Sequence, residues 1–167
     1  MLVNKEHPAV QPVAARMKGQ KHTTMESMTK EEWQAFLDAP ARSATIATVR
    51  EDGRPHAAVI WFEREGERII FTSWYTSVKV KNILRDGRIS LLIDHDEAPW
   101  DYVILEGRAT LIDKSAEGSK FWTTRIAARY VGEERAEEVT AEYAVEGEWV
   151  FEMIPEKVIA HKNVVNI

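Results

Sequence analysis

The chain has 167 residues with a hydrophobic content of 44%, which fits one globular domain that buries its own core. A net charge of −5 argues against bulk nucleic-acid binding, so any anion site must come from locally clustered cations. The absence of cysteine excludes disulfides, cysteine-ligated zinc sites and thiol catalysis.

The first 24 residues mix Pro, Gln, Lys, Gly and His without a clear period and predict a flexible N-terminal arm over 1–24. They lack the apolar segment of a signal peptide, and no run in the chain reaches transmembrane length. We therefore expect a cytoplasmic protein with no membrane partner, in which residues 25–167 form a single domain.

A helix and then a group of strands are predicted next. Thr29-Lys-Glu-Glu32 is a capping box that opens a helix, and Pro40 ends it. Glu51-Asp-Gly-Arg54 is typical of a hairpin turn. Because Ala57 to Phe62 is apolar at every position, we expect both faces of that strand to be buried. The strands of a three-stranded meander are predicted at 43–50, 57–62 and 68–72.

The segment from Phe71 to Asp86 carries the strongest functional signal. An apolar strand runs into a polar, aromatic loop, and Ser77 then caps a helix. A helix N-terminus offers free N–H groups and the positive end of a dipole, and Lys79 adds charge beside it. This arrangement suits the phosphate of a nucleotide-like cofactor, with Lys79 as its ligand. An ordinary strand–loop–helix with a solvated basic face remains the alternative.

The second half of the chain predicts further strands and two helices. Gly87 occupies the position of a helix C-terminal glycine, and Gly107 predicts a bulge. Pro155 is expected to interrupt the last strand. The strands are predicted at 89–94, 102–112, 149–154 and 158–162, and the helices at 115–131 and 133–144. About six antiparallel strands with few helices favour a closed barrel, which has no exposed edges.

Other charged and aromatic residues leave two interpretations open. Arg125 and Arg129 are four apart on a helix, where they form either a solvated face or a basic face that reaches an anionic tail or a partner subunit. Trp61, Trp74 and Trp100 lie near the proposed site and suit either ring stacking or burial. The five histidines show no metal-ligand spacing, and no hydrolase or phosphate-loop motif occurs, so we predict no metal site.

Three segments together resemble a known family. Thr48–Phe62, Phe71–Ile83 and Val103–Ala109 are similar to the split-barrel flavin and deazaflavin oxidoreductases, the relatives of pyridoxamine 5′-phosphate oxidase. The resemblance implies a mainly β protein with a six-stranded antiparallel split barrel, and a homodimer with cofactor sites at the subunit interface. It places the cofactor ring along Val59-Ile60-Trp61 and its phosphate at Ser77 and Lys79.

The resemblance also points to one branch of that family. Pyridoxamine phosphate oxidases carry cations where this chain has Ala58, Glu63 and Val78, so the sequence resembles the branch that uses a deazaflavin of the coenzyme F-420 type. It implies hydride transfer between the reduced deazaflavin and a small organic acceptor. An FMN-binding flavoprotein and a non-catalytic cofactor-binding protein are the alternatives. Tyr75, His56 or solvent could supply the proton. The expected cofactor-binding residues are Val59, Ile60, Trp61, Ser73, Trp74, Ser77, Lys79, Lys81, Asn82 and Trp100.

Overall fold

The computed structural model describes residues 25–165, which fold into one antiparallel sheet with four helices. The flexible arm predicted over 1–24 lies outside the described residues. The strands are β1 (Glu26–Ser27), β2 (Ala44–Val49), β3 (Pro55–Ile60), β4 (Glu63–Glu65), β5 (Arg68–Trp74), β6 (Arg88–Asp94), β7 (Tyr102–Asp113) and β8 (Glu148–Lys162). The helices are α1 (Lys30–Asp38), α2 (Val78–Arg85), α3 (Ala116–Val131) and α4 (Glu133–Thr140).

The sheet has the strand order β3-β2-β6-β7-β8-β5-β4, with β1 paired to β8. Its two end strands, β3 and β4, are joined by only Trp61 and Phe62. Since consecutive Cα atoms are about 3.8 Å apart, the ends lie within roughly 11 Å of each other, so the sheet must curl. The antiparallel, mainly β prediction is confirmed. However, the described chain has eight strands rather than six, and no ladder between β3 and β4 closes the barrel.

The predicted three-stranded meander is wrong in its second pairing. The β2–β3 hairpin forms as expected, with Gly53 at a φ of +83° in its turn. The next strand, β4, does not pair with β3 but is the last strand at the opposite end of the strand order. There it forms a hairpin with β5 through Gly66. Strand β5 then pairs with β8 over Ile69–Trp74. Consequently, one edge of β3 pairs with no strand within residues 25–165.

The expectation that both faces of β3 are buried is also wrong. Ile60 and Phe62 point into the core with exposures of 5% and 0%, whereas Val59 is 68% exposed. Along this apolar run, some side chains face the core and others face the outer surface of the sheet. Apolar side chains on an unpaired edge are an unusual surface for an isolated chain.

Strands β7 and β8 are long, and they bend together at Gly107. The register changes there, because Gly107 faces Pro155 while Glu106 faces Lys157, which leaves one extra residue on β8. A Cβ on Gly107 would lie 2.9 Å from the Ile154 carbonyl oxygen, so the close approach requires glycine. The bulge is confirmed, but β8 continues past Pro155 rather than breaking at it.

Local helix signals are largely confirmed. The Thr29 hydroxyl accepts from the Glu32 N–H at 3.3 Å, and the Glu32 carboxylate accepts from the Thr29 N–H at 2.8 Å. Gly87 is not a left-handed C-terminal glycine. Instead it allows close approach of the Ala109 carbonyl oxygen, which a Cβ would meet at 3.0 Å. Between residues 25 and 165, no helix combines the length and apolar character that a bilayer span requires.

The main core lies inside the curled sheet. Aromatic and branched aliphatic side chains from several strands meet there, and α1 contributes from outside the sheet. Helices α3 and α4 form a hairpin, and α3 packs on β5 and β8. Fully buried members of this core include Leu37, Ile46, Phe62, Phe71, Leu91, Leu105, Phe151 and Met153.

Candidate cofactor site

The junction between β5 and α2 is fixed by two serines. Ser77 is the N-cap of α2, and its hydroxyl accepts from the Val80 N–H at 3.4 Å. The buried Ser73 hydroxyl lies 3.1 Å from that of Ser77. This serine pair joins the end of β5 to the start of α2. Lys79 lies in the first turn of that helix.

A cavity of about 460 Å³ opens beside this junction. Its walls come from the end of β3, the end of β5, the first turn of α2, the hairpin of α3 and α4, and the start of β8. The lining residues are Val59, Ile60, Trp61, Thr72, Ser73, Trp74, Lys79, Thr123, Ile126, Ala127, Thr140, Tyr143 and Glu148. The structure therefore brings together six of the ten residues expected to bind cofactor.

The two tryptophans of the cavity have different aromatic neighbours. The Trp61 ring stacks on Tyr130, with a centroid separation of 4.5 Å and an interplanar angle of 5°. Tyr130 is itself held, because its hydroxyl donates to the Arg42 carbonyl at 2.9 Å and accepts from the Phe62 N–H at 3.1 Å. The Trp74 ring is tilted against that of Tyr75, with a centroid separation of 5.4 Å and an interplanar angle of 56°. Trp61 and Trp74 are 40% and 43% exposed, so these aromatic contacts leave both residues partly open to solvent.

Lys79 is the cation of the cavity. Its side chain is half-buried and makes no hydrogen bond or ion pair with any residue in 25–165. Burial lowers the pKa of Lys79, and the negative charge of Glu148 opposes that shift. A half-buried ammonium group beside the start of a helix provides an attractive environment for an anionic ligand group.

Three of the remaining expected residues lie away from the cavity. Lys81 lines a separate groove with basic residues that include Arg50 and Arg85. Asn82 is 3% exposed, and its amide donates to the Thr48 hydroxyl at 2.9 Å, so it ties α2 to β2. Trp100 lies on the loop between β6 and β7 and does not line the cavity. Ser77 contributes through the helix cap described above.

The two candidate proton donors are also outside the lining. His56 is half-buried on β3, with its Nδ1 atom 3.2 Å from the Arg50 guanidinium. Burial lowers the pKa of His56, and the charges of Arg50 and Lys79 lower it further. Tyr75 is 45% exposed and packs between the rings of Trp74 and Trp149.

The cations of α3 have structural partners rather than a place in the cavity. Arg125 forms ion pairs with Glu63 at 2.6 Å and with Glu65 at 3.0 Å. Arg129 donates to the Phe62 carbonyl at 3.1 Å and also to the Leu37 carbonyl. These two side chains therefore hold α3 against β4 and the end of α1.

The cavity wall made by the helical hairpin and β8 is not predicted by the sequence patterns. Thr123, Ile126 and Ala127 look like the ordinary buried side of an amphipathic helix, because periodicity does not show which surface a helix covers. Glu148 stands directly after Gly147, where an acidic residue resembles part of a turn. A pair of polar residues on the buried side of α3, Ser119 and Thr123, was the available signal.

Comparison with known proteins agrees with this geometry. Residues 29–162 match the family described as pyridoxamine 5′-phosphate oxidase. The chain belongs to the pyridoxamine 5′-phosphate oxidase family. The matched segment spans α1 to β8 and includes every residue that lines the cavity, so the family resemblance of the sequence is confirmed.

Solved structures with this fold are similar at low sequence identity. A conserved hypothetical protein of Mycobacterium tuberculosis is 21% identical, with a TM-score of 0.70 over 86% of this chain and 90% of that one. An F-420 reductase is 21% identical, with a TM-score of 0.61 over 75% of this chain and 94% of that one. The heme storage protein of Vibrio cholerae is 17% identical, with a TM-score of 0.61 over 79% and 94%. At these identities the likeness concerns the fold alone.

Proposed function

We propose that this family member is an oxidoreductase that binds a deazaflavin of the coenzyme F-420 type and transfers hydride between it and a small organic acceptor. One observation carries the proposal. A single cavity combines the apolar end of β3 and the Trp74 ring with Lys79, which makes no ion pair within residues 25–165. A flat ring joined to an anionic group fits that combination.

The residues present fit such a group in size and in chemistry. A cavity of about 460 Å³ falls within the roughly 300–1,000 Å³ of small-molecule sites. Val59, Trp61 and Trp74, which are exposed in the cavity, provide apolar surface for a ring. Lys79 and the first N–H groups of α2 provide donors for a phosphate.

The pattern of cations favours a deazaflavin over FMN. Ala58 and Val78 offer no charge, and Glu63 is ion-paired with Arg125, so no cation replaces the ones that this family uses for FMN. The separate groove beside α2 is lined by four basic residues and two acidic ones, and Lys81 and Arg50 there offer positive charge for a long acidic tail.

In this reaction the protein would bind and orient the reactants rather than react itself. A reduced deazaflavin, when bound, supplies the hydride. The chain would orient the ring between β3 and Trp74, hold its phosphate through Lys79, and keep water from the ring with the apolar side chains of α3.

We further propose that the protein works as a homodimer. The unpaired edge of β3 carries Val59 at 68% exposure, and Trp61 follows at 40%. A second copy placed on this edge would cover these side chains and close the open side of the cavity. Val59→Lys should then yield monomers and weaken cofactor binding. Sedimentation equilibrium tests this, and a wild-type monomer at micromolar concentration would contradict it.

The cofactor is tested by titrating the purified protein with the deazaflavin, with FMN and with heme, following fluorescence or absorbance. We expect the deazaflavin to bind more tightly than FMN, and the bound reduced form to persist in air and to reduce members of an acceptor panel. Purification with stoichiometric FMN and no deazaflavin binding would favour a flavoprotein. Heme binding alone, or deazaflavin binding without turnover, would favour a non-catalytic cofactor-binding protein.

A further inference from the structure

Glu148 is an acidic residue inside a cavity that we assign to an anionic ligand. It is the first residue of β8 and lies opposite Trp74 in the β5–β8 ladder. Thr72 and Trp74 share a face of β5, and all three residues line the cavity together with Lys79. The Glu148 side chain is half-buried there. A carboxylate in this position is unexpected for a phosphate site, because the two negative charges repel each other.

The two charged groups of the cavity influence each other. Burial raises the pKa of Glu148, while a hydrogen bond from Thr72 and the charge of Lys79 lower it. Burial lowers the pKa of Lys79, and the charge of Glu148 raises it. Neither group forms an ion pair within 4.0 Å among residues 25–165, so the two charges balance across the cavity rather than in direct contact.

We infer that Glu148 is a specificity-determining residue: while ionised it balances Lys79 and opposes a phosphate-bearing ligand, and such a ligand binds with uptake of a proton at the Glu148 carboxyl group. This inference rests on the proposed function, since it concerns the same cavity. Glu148 would therefore discriminate between ligands that carry the ring with a phosphate group and ligands that carry the same ring without one.

The direction of the effect follows from charge. A phosphate group brings about −1.5 to −2 charges near neutral pH, so an ionised Glu148 repels it and shares the attraction of Lys79. A bound phosphate therefore raises the Glu148 pKa above its value in the free protein. Affinity should rise as the pH falls through the interval between these two pKa values, because the complex binds more protons there.

Other titratable groups near the cavity must be separated from Glu148. Tyr143 lines the cavity from the segment after α4, and Tyr75 follows β5. His56 lies on β3 close enough to Lys79 for the two charges to interact. Protonation of His56 at low pH would also favour an anion. A Glu148→Gln variant retains His56, Lys79 and both tyrosines, so the difference between this variant and the wild type isolates Glu148.

The experiment compares FMN with riboflavin, which carries the same ring without the phosphate. Dissociation constants are measured from about pH 5 to about pH 8 for wild type, Glu148→Gln and Glu146→Gln. Glu146 is exposed and does not line the cavity. At the upper pH we expect Glu148→Gln to bind FMN about tenfold more tightly than wild type, as a one-unit linked pKa change requires. This ratio should fall towards one at the lower pH, while Glu146→Gln and all riboflavin values match wild type.

A second measurement covers the case in which Glu148→Gln does not fold. The Glu148 carboxyl carbon is titrated by NMR in the free wild type and in Lys79→Met. Loss of the lysine charge should raise the Glu148 pKa, and an unchanged value would overturn the inference. Equal FMN affinities of Glu148→Gln and Glu146→Gln at every pH would overturn it while leaving the proposed function intact. Failure of the deazaflavin, FMN and riboflavin to bind any variant would overturn both.

Discussion

The cations of α2 and α3 look alike in the sequence and behave differently in the fold. Lys79 and the pair Arg125 and Arg129 all lie on amphipathic helices that border the cavity region. In the structure, Lys79 enters the cavity without an ion-pair partner in 25–165, whereas each arginine is committed to carboxylates or backbone carbonyls. A helical pattern therefore shows where positive charge lies along a chain, but only the tertiary partners decide whether a ligand can use it.

The largest effect is expected for Arg129→Met. This change leaves the carbonyl groups of Phe62 and Leu37 without their guanidinium donor, and it removes the contact of Arg129 with the Phe62 ring. We expect the free energy of unfolding to fall by about 2–3 kcal/mol. Urea denaturation measures it, with Arg135→Met on the exposed face of α4 as the control. If the two variants had the same free energy of unfolding, Arg129 would contribute no more to stability than an exposed arginine does.

A somewhat smaller effect is expected for Gly147→Ala at the cavity rim. Gly147 has a φ of +105°, and a Cβ there would lie 2.9 Å from the Trp74 ring. We expect a loss of about 1–3 kcal/mol together with a shifted tryptophan emission maximum. Gly53→Ala is the matched control, since Gly53 has a φ of +83° and no atom within 4 Å of the added Cβ. If both variants lose the same stability and keep the wild-type emission, the Trp74 contact has no consequence.

The smallest effect on stability is expected for Arg125→Ala. The Arg125 side chain is 38% exposed, so its ion pairs with Glu63 and Glu65 are weakened by solvent. Such pairs contribute about 0–1 kcal/mol. Unfolding should change by no more than that, and cofactor affinity should stay at the wild-type value. A tenfold loss of affinity in calorimetric titration would instead place Arg125 in the binding site.

Local signals predicted local structure well. The capping box at Thr29, the hairpin at Gly53, the cap at Ser77 and the bulge at Gly107 each depend on a few neighbouring residues, and the structure confirms all four. The pairing of β3 could not be predicted in the same way. The apolar run from Ala57 to Phe62 has the composition of a strand buried on both faces, and only the crossing of the chain after Phe62 leaves it at the end of the sheet.

The cavity was predictable on one side only. The motif around Lys79 indicated its cationic end, because a helix start and its neighbouring lysine are adjacent in the chain. Thr123 and Glu148 reach the cavity from segments more than forty residues further along. Their approach depends on how α3 packs against β5 and on the register of β5 with β8, which no local pattern encodes.

The role of Lys79 is the central claim and is tested most directly by cofactor affinity. Dissociation constants for the deazaflavin are compared in wild type, Lys79→Ala and Lys120→Ala, the last altering an exposed lysine of α3. Loss of one charge-assisted contact, about 1.5–3 kcal/mol, should weaken binding by Lys79→Ala about tenfold to a hundredfold while the variant remains folded. Lys120→Ala should bind as the wild type does. An unchanged dissociation constant for Lys79→Ala would contradict the account and place the anion site elsewhere.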